Sequence, residues 1–221
     1  MRTFHFIFCW FLFVNGVFAQ NLITQDSVDT DKHYFPIAVG VSFNSNNFHS
    51  GIRLSVEKIH EINRHDKYRA DSVYKTKYGV KFINYNFLYN RDKDFNTSFS
   101  LGADYGMRRV KKKGRMKELV VGLGITKTFL TKAAFTVENN QVKQKSLPGN
   151  LYGNANIMAG FGKDYSFTKS IPLKWHIRAG ANILFPYGSF IMPYFAMDMG
   201  IVYRIKAKPF AVKYTIKDNL N

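Results

Sequence analysis

Residues 173–185 read "LKWHIRAGANILF", and the two faces of this stretch differ at every step. Leu173, Trp175, Ile177, Ala179, Ala181, Ile183 and Phe185 are apolar, whereas Lys174, His176, Arg178, Gly180 and Asn182 between them are charged, polar or small. Side chains alternate across a strand, so this pattern describes a strand between an apolar medium and a polar one. The apolar medium is either a protein core or lipid, and the rest of the chain discriminates between them.

The same alternation recurs along the sequence. In "TSFSLGADYGM", Phe99, Leu101, Ala103, Tyr105 and Met107 oppose Ser98, Ser100, Gly102, Asp104 and Gly106. In "ELVVGLGITKTF", Leu119, Val121, Leu123, Ile125 and Phe129 share one face with Gly122, Gly124, Thr126 and Thr128 on the other. "NANIMAGFG" sets Ala155, Ile157, Ala159 and Phe161 against Asn154, Asn156, Gly160 and Gly162, and "FAMDMGIVYRI" does the same with Phe195 to Ile205. Weaker segments at 35–43, 52–58 and 78–90 bring the candidate strands to eight by residue 205, and "PFAVKYTI" at 209–216 offers a ninth. Residues 59–76 and 131–151 read as long connections. Eight strands can therefore be counted from Phe35, or from Ile52 with the ninth included, and the second count fits the rule of short turns at the periplasmic end better.

The chain opens with Met1-Arg2-Thr3, an apolar run from Phe4 to Val14, and Val17-Phe18-Ala19 before Gln20. This is the layout of a cleavable signal peptide, and the run is shorter than the roughly 20 apolar residues of a spanning helix. The expected organisation is a signal peptide at 1–19, an N-terminal extension at 20–34 and a single barrel domain at 35–217. The one cysteine, Cys9, lies in the signal, so the mature chain has neither a disulfide nor a thiolate metal site. The net charge of +17 becomes +16 once Arg2 is removed with the signal. No later segment is long and apolar enough to span as a helix, so a membrane form must span as a closed barrel of strands.

Three features assign the apolar face to lipid. The polar faces are rich in Gly, Ser and Asn, which suits a crowded lumen. Segments such as 173–185 and 195–205 supply the roughly 9 to 11 residues needed to cross a bilayer at a tilt. Aromatic residues (Tyr85, Tyr89, Phe99, Tyr105, Trp175, Phe185, Phe195, Tyr203) gather near strand ends, as in interfacial girdles. The expected fold class is all-β: an antiparallel up-and-down transmembrane β-barrel of eight strands.

With Val17-Phe18-Ala19 before Gln20, strands backed by Gly and Asn, and a late strand ending Gly200-Ile201-Val202-Tyr203-Arg204-Ile205, the chain resembles the small outer-membrane β-barrels of Gram-negative Bacteroidota. The resemblance implies the outer membrane as location, with membrane lipids and the barrel-assembly machinery as partners. Such barrels usually end on an aromatic residue in the final strand, whereas this chain continues past Ile205 to Asn221.

If residues 186–190 form a turn, Arg178 faces Asp198 across two strands, giving a lumenal ion pair. Lys174, His176, Asp104 and Arg204 fall on the same polar face. The densest charge run, "RRVKKKGRMK", holds Arg108, Arg109, Lys111, Lys112, Lys113, Arg115 and Lys117. These are candidate contacts for anionic lipid or lipopolysaccharide phosphates, and export argues against nucleic acid. "HEINRH" spaces its histidines five apart, not the four that a zinc helix needs. Gly122 and Gly124 are explained by alternation without a nucleotide loop. The expectation is a barrel in a structural, assembly or surface-interaction role, not an enzyme, with no catalytic residue, metal or cofactor. Alternatives are an outer-membrane lipid-modifying enzyme using His176 or a loop serine, and a soluble periplasmic lipocalin-like binder.

Overall fold

The computed structural model describes residues 24–25, 33–46, 49–69, 72–91, 96–130, 135–138, 141–144, 149–167, 171–187, 190–205, 208–209 and 212–217. The expected signal peptide lies outside the described residues. Eight strands form a ring: β1 (Ile37–Asn46), β2 (His49–Arg69), β3 (Ser72–Arg91), β4 (Asn96–Lys111), β5 (Arg115–Leu130), β6 (Leu151–Asp164), β7 (Leu173–Tyr187) and β8 (Phe190–Ile205). Each pairs antiparallel with its sequence neighbour, and β8 pairs antiparallel with β1 to close the ring. The first and last ring strands therefore begin and end at the same end of the barrel, here the terminal end. The connection between Leu130 and Leu151 lies at the other, the loop end.

The register fixes the tilt. Opposed residues lead from Ile205 through Ile37, Lys58, Ile83, Tyr105, Val121, Ile157 and Ala181 back to β8 at Phe195, ten residues from the start. A stagger of this size accompanies strands inclined by about 35–45° to the barrel axis.

The apolar faces point outward. Val41, Leu54, Leu101, Leu123 and Met199 are each more than half exposed, with Leu123 at 65%. The inward face carries Asn44, Arg53, Glu57, Asp104, Arg108, Glu118, Lys174 and Asp198, all buried. A soluble ligand-binding barrel has the opposite arrangement, with an apolar interior and a wetted wall, so the lipocalin-like alternative is set aside. An apolar wall around a polar, closed interior is the build of a transmembrane barrel. At the loop end Phe99 packs against Phe87, Tyr89 and Phe129, with ring centroids 5.9, 5.2 and 5.8 Å away. Trp175 and Tyr203 stand on the outer face toward the terminal end.

Two connections differ from expectation. The stretch 59–76 is almost entirely strand, because β2 and β3 run on past the ring as a hairpin to Arg69 and from Ser72. A bulge between Ile59 and Glu61 leaves His60 and Glu61 both unburied and switches the inward residues from odd numbers (Glu57, Ile59) to even (Ile62, Asp66). That switch erases the alternation a reader would follow. Residues 131–150 contain a small hairpin of their own, Phe135–Glu138 with Gln141–Gln144. The closing strand is Phe190–Ile205, which corrects the count from Ile52: Val212–Lys217 lies outside the ring, parallel to Ile62–Lys67 of the projecting part of β2.

Ile59, Ile62, Tyr78, Val80, Phe82, Val110, Met116, Val120 and Val212 form one buried cluster, with Phe167 packed against it. These residues fill the terminal end of the lumen with apolar side chains.

Candidate functional site

Above the apolar cluster the lumen is filled by charge. One ladder of opposed residues crosses the wall from Arg108 to Glu118 to Gly160 to Arg178 to Asp198. Gly160 makes the ladder continuous: a Cβ there would lie 2.7 Å from Cγ of Arg178, so only glycine lets that side chain lie flat across the strand. Arg178 thereby donates from Nε to Oε1 of Glu118 at 2.8 Å, and its Nη1 lies 3.4 Å from Oδ2 of Asp198. Arg108 donates from Nε to Oε2 of Glu118 at 2.9 Å.

Glu57 joins this ladder to the far side of the lumen. It accepts from Nη1 and Nη2 of Arg108 at 3.0 and 2.6 Å and from Nζ of Lys174 at 2.6 Å, and Nη1 of Arg204 lies 3.3 Å away. Arg204 also pairs with Asp164, and Arg53 reaches Asp198 at 3.5 Å. The Arg108 guanidinium sits 4.3 Å over the Phe82 ring. Toward the loop end, Asp104 accepts from the side-chain amides of Asn86 and Asn156 at 3.0 and 3.1 Å. Five cations (Arg53, Arg108, Lys174, Arg178, Arg204) thus meet five anions (Glu57, Asp104, Glu118, Asp164, Asp198) in the lumen of the ring, while the buried Asp66 of the projecting hairpin pairs with Arg64 at 2.8 Å. Charges in such a setting are stable only when paired and hydrogen-bonded. The lumen is neutral with His176 uncharged, so the chain's excess positive charge lies elsewhere.

The positions marked from sequence separate into two groups. Lys174, His176, Asp104, Arg204, Arg178 and Asp198 are all lumenal and buried. Nε2 of His176 lies 3.4 Å from Oδ2 of Asp198, and at 3% exposure the ring is sealed from lipid. Arg108 corrects the reading of the basic run: its place on the inward face of β4 buries it against Glu57 and Glu118, where it cannot touch lipid. Arg109, Lys111, Lys112, Lys113, Arg115 and Lys117 are exposed. The run forms two strand ends joined by a tight turn in which Gly114 takes φ 81°, a left-handed conformation that favours glycine. The sequence reading does not single out Glu57, Glu118, Asp164 and Arg53, although all four share the parity of their strands' polar faces.

The outer-face cations, exposed or half-buried, form a collar at the terminal end. Arg109 is directly opposite Lys117, Lys77 opposite Lys111, Arg115 opposite Lys163, and Lys67 opposite Lys75. Opposed side chains on a sheet lie about 4.5–5.5 Å apart, and like charges there repel. Among the described residues none of these eight makes an ion pair; Lys163 lies 4.6 Å over the Tyr165 ring. Glu61, the acid on this part of the outer face among the described residues, is taken by Lys81 at 2.9 Å and Asn63 at 2.6 Å. Partial burial, and then Lys75, Arg109, Lys67 and Lys111, push Lys77 below the usual lysine range.

No protein-family profile matches this sequence, and no curated protein does. Among solved structures the chain is similar to a crystal structure described as the outer membrane enzyme PagL, with a TM-score of 0.46 and 10% identity over 76% of this chain and 99% of that one. That match corrects the expectation that the chain is not an enzyme: the protein it resembles in fold is itself an outer membrane enzyme. At this level of likeness the match carries no residue roles across.

Proposed function

We propose that this chain is a non-conducting outer-membrane β-barrel whose work is done where its wall and its terminal-end rim meet lipid. The observation that carries this reading is the filled lumen: five paired cations and five anions stacked above an apolar cluster leave the outer surface as the place for an interaction. Eight-stranded barrels have an interior just wide enough for side chains to fill. The wall itself offers a shallow apolar groove between Val39, Leu54, Val56, Tyr85, Leu101 and Tyr203, open to acyl chains. The test is conductance of the refolded barrel in a planar bilayer at neutral pH. No stable current steps are expected, and reproducible open-channel steps would refute a sealed barrel.

A second reading, modification of lipid at the outer wall, has one observation of its own. His60 stands at the bulge of β2 on the outer face, its ring 5.7 Å from that of Tyr105, with Glu61 as its neighbour in the chain. It is an imidazole that lipid can reach, in contrast to His176 behind the wall. Incubation with phospholipid and lipid A, followed by product analysis, tests it: activity lost on His60→Ala and kept on a folded His176→Ala supports this reading, and no product from either lipid removes it.

A further inference from the structure

We infer that the basic collar at the terminal end is a binding surface for anionic lipid headgroups, taken from the leaflet that borders it. The inference rests on the reading that the barrel lies in a membrane, and it adds the headgroup chemistry. Its basis is the contrast between the two sides of one wall. In the lumen each guanidinium and ammonium meets a carboxylate. On the outer face Arg109 opposes Lys117, Lys77 opposes Lys111 and Arg115 opposes Lys163, with no carboxylate between them among the described residues.

Three such pairs on successive strands repel one another, and an external counterion relieves that repulsion. The position of the pairs identifies it. Arg109 follows the exposed Met107 by two residues on the outer face of β4, and Lys117 precedes the exposed Leu119 by two on β5. The cations therefore sit directly at the edge of the apolar belt, at headgroup height, where Lys and Arg stems lie along acyl chains and their heads reach phosphate. A soluble anion would need no such alignment. Phosphate matches both the bidentate guanidinium of Arg109 and the ammonium of Lys117.

The test refolds the full barrel into bilayers of equal parts phosphatidylcholine and phosphatidylglycerol and measures, by native mass spectrometry, the lipids that stay bound. Phosphatidylglycerol is expected in several-fold excess, falling about fivefold for each cation removed in Arg109→Gln and Lys117→Gln. Arg91→Gln at the opposite rim should leave the ratio unchanged, and added inorganic phosphate should not displace the lipid. A second readout has a sign: Arg109→Gln should raise the unfolding temperature in phosphatidylcholine alone, where it relieves repulsion, and lower it in the mixed bilayer. Equal retention of the two lipids, displacement by free phosphate, or the same sign in both bilayers would overturn the proposal. Absence of a heat-modifiable folded band in either bilayer would instead defeat the membrane-barrel reading beneath it.

Discussion

Arg108 and Arg109 are neighbours in the chain and point to opposite sides of one wall: Arg108 lies 2.6 Å from Glu57 in the lumen, while Arg109 faces Lys117 outside. Strand geometry alone separates them. The same residue type is thus neutralised on the inside of the wall and left without a carboxylate partner among the described residues on the outside.

Removal of Glu57 should be costly, because Arg108, Lys174 and Arg204 all converge on it. Breaking a buried ion pair from one side leaves an uncompensated charge worth about 3–5 kcal/mol. Glu57→Gln is expected to lower stability by that order in urea titrations followed by the heat-modifiable band, whereas Glu61→Gln on the outer face should cost less than 1 kcal/mol, roughly the value of an exposed pair.

Gly160→Ala should displace Arg178 from Glu118. The added Cβ would lie 2.7 Å from both Cγ of Arg178 and the carbonyl oxygen of Ile177. Overpacking of this kind costs about 1–3 kcal/mol. The cost should shrink in an Arg178→Ala background if the side chain is the obstacle, and a double-mutant cycle reads the difference.

Deleting residues 208–221 should leave the ring intact, since β8 already closes against β1. What is lost is the parallel pairing of Val212–Lys217 with Ile62–Lys67 and the buried Val212 in the terminal-end cluster. The truncated barrel is expected to stay heat-modifiable while proteases cut the β2–β3 hairpin faster. Loss of the folded band would show that the C-terminal strand belongs to the barrel's closure.

Lys77 gives a pH dependence with a definite sign. Partial burial and the neighbouring Lys75, Arg109, Lys67 and Lys111 hold its folded-state pKa below the ordinary value of about 10.4. The charged form is thus penalised in the folded barrel, and the penalty is fully present below the folded pKa. It fades as pH rises through that value toward the unfolded one. In phosphatidylcholine, Lys77→Gln should therefore unfold at a higher temperature than the wild type at pH 7, with the gap closing toward about pH 10. A gap that widens with pH would contradict the assignment.

Much of the architecture could be read from alternation. The period-two runs at 98–107, 119–129, 154–162 and 173–185 all lie within ring strands, and the Arg178–Asp198 register followed from placing one turn. The projecting hairpin could not, because a single bulge at His60 and Glu61 exchanges the parities and leaves "EINRHDKYR" without a visible face. In the run of like residues around Arg108 the alternation that turns it inward is hidden. The contact between Arg178 and Glu118 spans 60 residues and two strands. It depends on Gly160 lying between them, a relation that appears only once three registers are aligned.

The central claim is that the apolar face of each ring strand meets lipid and the polar face meets a filled lumen. With Cys9 the chain's single cysteine, one nitroxide at a time can be placed along β5 from Leu119 to Ile125 in a chain that starts at Gln20. Accessibility to oxygen in the bilayer should then alternate: high at Leu119, Val121, Leu123 and Ile125, low at Val120, Gly122 and Gly124. Equal accessibility at all seven positions, or collision with a water-soluble relaxant at the odd ones, would contradict the account.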